Sequence, residues 1–323
     1  MRFGVVGLGN HARSRVMPAI VAAGHEIRAV YSRRAEKAES VGRKFSSNSY
    51  DSIEKLLNDD IDAVYIASPN FLHYEQAKIA LRKGKNVLLE KQMTLLDEEA
   101  NELVQLASAR GAVLAVGFHL RFHPAINDMR KIVHDGEIGD VVRISGTWGY
   151  RSARNYSDPD TMWWREDDKA GGGSVMGTGV HVVDTINYVL GKAPTHVYAV
   201  RSPEGQVVEN TEFICMGYGR TFADAFSSRE IETGENNLSV YGTNGTVIGA
   251  GVFSTNVSAS LTRNGQLVKR YDGPDMYEEE IKAFACAVEG KKSSIARGPD
   301  GQLVVRIVNA AAEANEKGAK VSL

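Results

Sequence analysis

Phe3-Gly4-Val5-Val6-Gly7-Leu8-Gly9-Asn10-His11-Ala12 sets a short apolar run against a Gly-x-Gly turn and then against residues that begin a helical pattern. The run reads as a buried strand. Glycines between such a strand and a helix leave backbone N–H groups, and the positive end of the helix dipole, facing an anion such as a pyrophosphate. Taken alone, the turn could equally be a plain strand-to-helix connection. Its surroundings decide: apolar runs at 26–31, 63–67, 86–89 and 113–117 alternate with helical patterns at 17–23, 53–57, 74–82 and 97–109. Alternation of this kind over about 120 residues builds crossover units on a parallel sheet. Its strands are covered on both faces and read as runs, not as in-out alternations. The expected fold class is α/β, with an N-terminal Rossmann doubly wound sheet over residues 1–120.

The end of the second strand speaks to the cofactor. NAD binders usually place Asp or Glu there to accept the ribose 2′-hydroxyl, whereas this chain has Ser32-Arg33-Arg34. A hydroxyl followed by two guanidinium groups suits a 2′-phosphate, which a carboxylate would repel. The sequence therefore favours NADP, with NAD possible.

Past Gly117 the pattern changes. A helix is expected at 124–135 and a strand at 141–150, followed by a polar stretch. Strands are then expected at 197–201, 212–218, 221–228, 237–241 and 246–250, separated by Gly and Asn turns. This is the pattern of an open, mostly antiparallel sheet with helices on one face, an α+β domain over 121–323. Two helical patterns, 277–289 and 302–317, close the chain, and the last of them is free to pack back on the first domain. At 323 residues with 43% hydrophobic content, two cores are expected. A formal charge of -2 and a pI near 6.5 give no footprint for nucleic acid or an anionic membrane surface. Cys215 and Cys286 form no C-x-x-C pair, and the histidines lack ligand spacing, so neither a disulfide framework nor a metal site is expected. The apolar run at 3–6 is too short for a signal-peptide core, and no stretch approaches a membrane span, so a reducing, cytoplasmic setting is expected. No Gly-x-Ser-x-Gly elbow marks a hydrolase.

Four further segments occur in order. They are Ala67-Ser68-Pro69-Asn70-Phe71-Leu72-His73, Gly84-Lys85-Asn86-Val87-Leu88-Leu89-Glu90-Lys91-Gln92, Gly117-Phe118-His119-Leu120-Arg121-Phe122-His123-Pro124, and Gly171-Gly172-Gly173-Ser174-Val175-Met176-Gly177-Thr178-Gly179-Val180-His181-Val182-Val183-Asp184. With the tail segment 277–284 they make the chain resemble the glucose-fructose oxidoreductase and inositol dehydrogenase (Gfo/Idh/MocA) family. The resemblance implies an oxidoreductase that presents a sugar, sugar derivative or cyclitol to a nicotinamide ring. It also implies a homodimer or homotetramer paired through the open sheet. Gly7, Gly9, Asn10, His11, Ala12, Ser32, Arg33, Arg34, Ser68, Pro69, Asn70, His73, Glu90 and Lys91 would then border the cofactor. The family's Glu-Lys-Pro motif falls on Glu90-Lys91-Gln92, which makes Lys91 a catalytic candidate. Gln92 stands where the family has a proline that is often cis, and without proline a trans bond is expected, because the cis form costs about 2.5–4 kcal/mol.

The family's Asp-x-Gly-x-His-x-x-Asp motif falls on 177–184. Its histidine is His181, the second catalytic candidate, able to exchange a proton near neutral pH. The motif's first aspartate is replaced by Gly177, so its task must be absent or fall to another residue, Thr178 and Asp184 being candidates. Arg121, Tyr150, Trp163, Trp164, Arg165, Thr178 and Asp184 are the expected substrate contacts, the paired tryptophans because aromatic faces suit the C–H surfaces of carbohydrates. Two other functions remain open within this resemblance: a non-catalytic regulator that binds the cofactor, and a glycoside hydrolase assisted by NAD.

Overall fold

The computed structural model describes residues 1–152, 157–158, 161–231 and 234–323. Asp160, at the start of the expected substrate stretch, lies outside them. The chain divides into two compact units, Met1–Phe118 with Tyr277–Val305, and His119–Met276 with Arg306–Leu323.

The first unit is built on six parallel strands, β1 (Arg2–Val6), β2 (Glu26–Tyr31), β3 (Asn48–Tyr50), β4 (Ala63–Ile66), β5 (Asn86–Leu89) and β6 (Leu114–Val116), ordered β3-β2-β1-β4-β5-β6. Strands β4 and β6 are buried at every position, as apolar runs covered on both faces should be. Strand β3 lies outside the apolar runs read from the sequence; its three polar or half-buried residues pair only at the sheet edge. Register places Tyr31, Val6, Ile66, Leu89 and Val116 in one row across the sheet. The residues that follow each of them, Ser32, Gly7, Ala67, Glu90 and Gly117, therefore emerge along one carboxyl edge. In an open α/β sheet, that is the edge where ligands sit. The segment 277–305 completes this unit. Phe284 meets Phe3 with ring centroids 6.0 Å apart, and the Val116 amide donates to the Ala296 carbonyl at 2.9 Å.

The second unit carries nine strands. These are β7 (Val141–Gly149), β8 (His196–Ser202), β9 (Thr211–Tyr218), β10 (Thr221–Ser228), β11 (Leu238–Gly242), β12 (Gly245–Ala250), β13 (Ala259–Arg263), β14 (Gln266–Tyr271) and β15 (Val321–Ser322), in the order β14-β13-β12-β11-β7-β10-β9-β8-β15. All pairs are antiparallel except β7 with β10, which run parallel because a long excursion containing the helix Val180–Leu190 separates them in the chain. That helix and Pro124–His134 pack together and cover one face of the sheet.

Candidate active site

Gly7 makes the turn after β1 with φ +88, and a Cβ there would stand 2.6 Å from the Ala67 carbonyl carbon and the Ser68 nitrogen. Only glycine fits both the left-handed backbone and this close approach. Around Gly9, by contrast, no described residue beyond its chain neighbours comes within 4 Å of a would-be Cβ. Helix begins at Asn10 and continues through the π-turn Ala12–Val16 into Met17–Ala22, earlier than the helical pattern in the sequence. The helix therefore opens directly off the glycines, with the N–H groups of its first turn at the edge of the sheet. Ser32 follows β2 with its hydroxyl 3.4 Å from the Arg34 amide, and Arg33 and Arg34 are exposed.

After β4 and β5 come the residues of the second and third motifs. Glu90 is buried, accepts the Tyr65 hydroxyl at 2.8 Å and stands 3.4 Å from His11 Nε2. Burial alone would raise its carboxyl, but His11, Lys91 and the Tyr65 hydroxyl outweigh burial and hold it at about 2, so it is ionised. His73 is wholly buried, with its ring nitrogens 2.8 Å from the carbonyls of Gln92 and Ser68, and burial lowers its pKa despite both contacts. It ties together the loops that follow β4 and β5. The Ser68 hydroxyl donates to Gln76 Oε1 at 2.5 Å, and Pro69 leads into the short turn Asn70–Leu72. Asn70 is buried with its side-chain Nδ2 unpartnered, an orphaned donor at the ligand-binding edge. Lys91 is half-buried just past β5. The Lys91–Gln92 peptide is cis, against the expectation of a trans bond. The expectation weighed only the local cost, whereas here the Gln92 side chain is fully buried and its carbonyl is held on His73.

In the second unit, Thr178 and His181 lie on the continuous helical segment that joins the π-turn Val175–Gly179 to Val180–Leu190. His181 is buried against two aromatic rings, His119 at 4.8 Å edge-on and Trp148 at 5.5 Å. Sequence reasoning missed both neighbours. His119 lay within a quoted motif, and Trp148 sits at a buried position of β7, where only pairing reveals its direction. Tyr150, just past β7, places its hydroxyl 3.1 Å from where a Cβ on Gly177 would be. Arg121 and Asp184, both expected at the substrate, pair with each other. Nε donates to Oδ2 at 2.9 Å and Nη2 to Oδ1 at 2.6 Å, with both residues buried. Trp163 and Trp164 stack on one another at 4.4 Å and are largely buried. Exposed Arg165 lines a cavity of about 600 Å³ with Ser152, Asp167, Asn210, Arg229 and Glu230; neither Thr178 nor His181 lines it. Among the described residues no cluster of His, Cys, Asp and Glu could hold a metal ion, and no helix is long and apolar enough to cross a membrane.

Residues 1–118 match the family model described as "Oxidoreductase family, NAD-binding Rossmann fold" (GFO_IDH_MocA), and residues 126–248 match the GFO/IDH/MocA C-terminal domain. The chain is 34% identical over 313 residues to the 1,5-anhydro-D-fructose reductase of Ensifer adhaerens, covering 93% of this chain and 92% of that one. It is 30% identical over 331 residues to D-xylose 1-dehydrogenase (NADP(+)) 2 of Haloferax volcanii, covering all of both. The crystal structure of the aldose-aldose oxidoreductase from Caulobacter crescentus matches with a TM-score of 0.89 and 24% identity, covering 100% of this chain and 99% of that one, which bears on the fold alone.

Proposed function

This chain belongs to the GFO/IDH/MocA family of oxidoreductases, and from that premise we propose that it moves a hydride between NADP(H), with NAD(H) the weaker alternative, and a hydroxyl- or keto-bearing carbon of a sugar, sugar derivative or cyclitol. The strongest support is the carboxyl edge of the parallel sheet, where the glycine turn, Ser32, Asn70, Glu90 and Lys91 follow strand ends held in one register. These residues fit a dinucleotide: Gly9 leaves open space for close approach, and Asn70 offers a buried donor with no partner of its own. When bound, the nicotinamide supplies the hydride acceptor in one direction and the donor in the other. The first-turn N–H groups at 9–12 hold the pyrophosphate. Ser32, Arg33 and Arg34 take the 2′-phosphate, and Ser68, Pro69, His73 and Glu90 shape the wall beside the ring.

His181 exchanges the proton of the reacting oxygen, and the Lys91 ammonium stabilises the charge that develops on it. Tyr150 places a neutral hydroxyl in the space that a side chain at 177 would fill, and with Thr178 it takes over substrate contacts from the family's missing carboxylate. Trp163 and Trp164 form an apolar wall with Arg165 at its rim, while the Arg121–Asp184 pair braces the helix that carries His181. A cytoplasmic homodimer or homotetramer acting on a small sugar-like substrate is the expected setting.

The test follows NADPH absorbance with 1,5-anhydro-D-fructose, D-xylose, other aldoses, ketosugars and inositols. Lys91→Ala and His181→Ala should each lower turnover by roughly a hundred- to ten-thousandfold. NADPH affinity should stay within roughly tenfold, because the pyrophosphate is held elsewhere. A well-folded His181→Ala enzyme with near-normal turnover would overturn the proton assignment. Tight cofactor binding without consumption on any sugar would favour a regulator.

A further inference from the structure

Glu209 is completely buried in the connection between β8 and β9, yet its carboxylate is fully engaged. Oε2 accepts the Gly173 amide at 2.7 Å, and Oε1 accepts the Val175 amide at 2.7 Å and lies 3.0 Å from the Ser174 hydroxyl; the Glu209 carbonyl also accepts the Ser174 amide at 3.1 Å. A Cβ on Gly173 would come within 1.8 Å of the Glu209 carbonyl oxygen, so only glycine lets the two chains approach this closely. Gly173 also starts the segment that carries Thr178 and His181: its carbonyl accepts the Gly177 amide at 3.2 Å, and the Thr178 hydroxyl donates back to the Ser174 carbonyl at 3.3 Å. The Ser174 hydroxyl lies 3.1 Å from Ser227 on β10, and a Cβ on Gly179 would meet the same serine at 2.9 Å. An anion at this end also satisfies amides that the first turn of a helix leaves without partners.

The geometry points to Glu209 as the positioning residue of the proton-transfer group. By clamping the amides of Gly173 and Val175, it fixes the start of the helical segment and hence how far along its axis His181 stands between Trp148 and His119. A helix rises about 1.5 Å per residue, so slippage at its start carries through to His181. The inference rests on His181 exchanging the substrate proton, as proposed above. Glu209 touches neither sugar nor cofactor; it acts through the turn 173–175. It also accounts for the glycine at 173, which the chemistry at His181 does not explain.

The test is a double-mutant cycle on the full chain. In Glu209→Gln one carboxylate oxygen becomes an NH₂ group that cannot accept from the backbone, which breaks one arm of the clamp. Misplacing an acid-base group by about an ångström costs up to roughly a hundredfold, so kcat should fall about ten- to a hundredfold, with NADPH affinity within about threefold. In the His181→Ala background the same substitution should cost less than about twofold, because no proton-transfer group is left to misplace. Should Glu209→Gln melt below the assay temperature, Ser174→Ala, which removes only the hydroxyl beside Oε1, carries the cycle with the same sign and a smaller size. Equal losses in both backgrounds would overturn the inference while leaving His181 in its role. A His181→Ala enzyme that keeps its turnover would instead remove the premise, so the two failures are distinguishable.

Discussion

Glu212 on β9 is buried beside Arg201 on β8, its Oε1 3.2 Å from the guanidinium Nε. Burial, reinforced by the charge on Glu209, pushes its carboxyl up to about 8 against the pull of Arg201. With a like charge nearby and no water around it, the Glu212 carboxyl gains from holding a proton. The folded chain therefore binds an extra proton between the unfolded value near 4.5 and about 8. That contribution to stability is fully present below about pH 4.5 and is lost as pH rises through about 8. Glu212→Gln keeps the shape and fixes the neutral state. Melting curves from about pH 5 to about pH 9 should show the wild-type Tm falling more steeply than that of the variant. Parallel profiles would mean that the proton resides elsewhere. The depressed Glu90 acts in the opposite direction but titrates near 2, outside this range. None of this was legible in the sequence, because a lone glutamate in a strand pattern reads as a solvated position until pairing shows which face it takes.

The turn that follows β2 is the element on which the proposed cofactor preference rests, because the register of β1 with β2 brings Ser32 to the same edge as the glycine turn. With a hydroxyl and two exposed guanidinium groups there, NADP(H) should bind more tightly than NAD(H), and Ser32→Asp with Arg33→Ala should reverse the order. Fluorescence titration of both dinucleotides measures this directly, and tighter NADH binding by the unaltered chain would reject the assignment. Elements with an apolar run or a glycine turn, such as β1, β4 and β5, could be read from the sequence because burial on both faces leaves a one-dimensional trace. Strands β3, β13 and β14 could not, since polar or half-exposed strands at or next to a sheet edge carry no such trace. Likewise, motif spacing singled out Lys91, Glu90 and His181 as candidates. The Arg121–Asp184 pairing, the approach of Tyr150 to Gly177 and the cis bond after Lys91 depend on distant contacts that no local pattern encodes.

At the scale of the molecule, the nine-stranded sheet poses the problem that its two helices solve on one side only. Along β8 and β9, Val197, Ala199, Ile214 and Met216 are buried, while Tyr198, Val200 and Phe213 alternate with them and are exposed. Pairing extends the exposed row across the sheet. Val200 is opposite Phe213, Phe222 is opposite Gly217 and beside Arg143, and Tyr241 is opposite Arg143 in turn. Paired residues share a face, so Tyr198, Val200, Phe213, Phe222 and Tyr241 form one apolar surface, with the Arg143–Asp224 ion pair set into it. A patch of four aromatics and an aliphatic on one sheet face is more than a lone subunit usually leaves in water, and a second copy offering the same surface would bury it symmetrically. Light scattering at micromolar concentration should therefore give two or four times the 35.2 kDa subunit mass. Placing charges in the patch with Val200→Asp and Phe222→Asp should split the assembly, because a two-fold interface through this face would bury the carboxylates of both copies together. A wild-type chain that scatters as a monomer would mean that the open face is tolerated bare. An assembly that survives both substitutions would mean that the copies meet through a different surface.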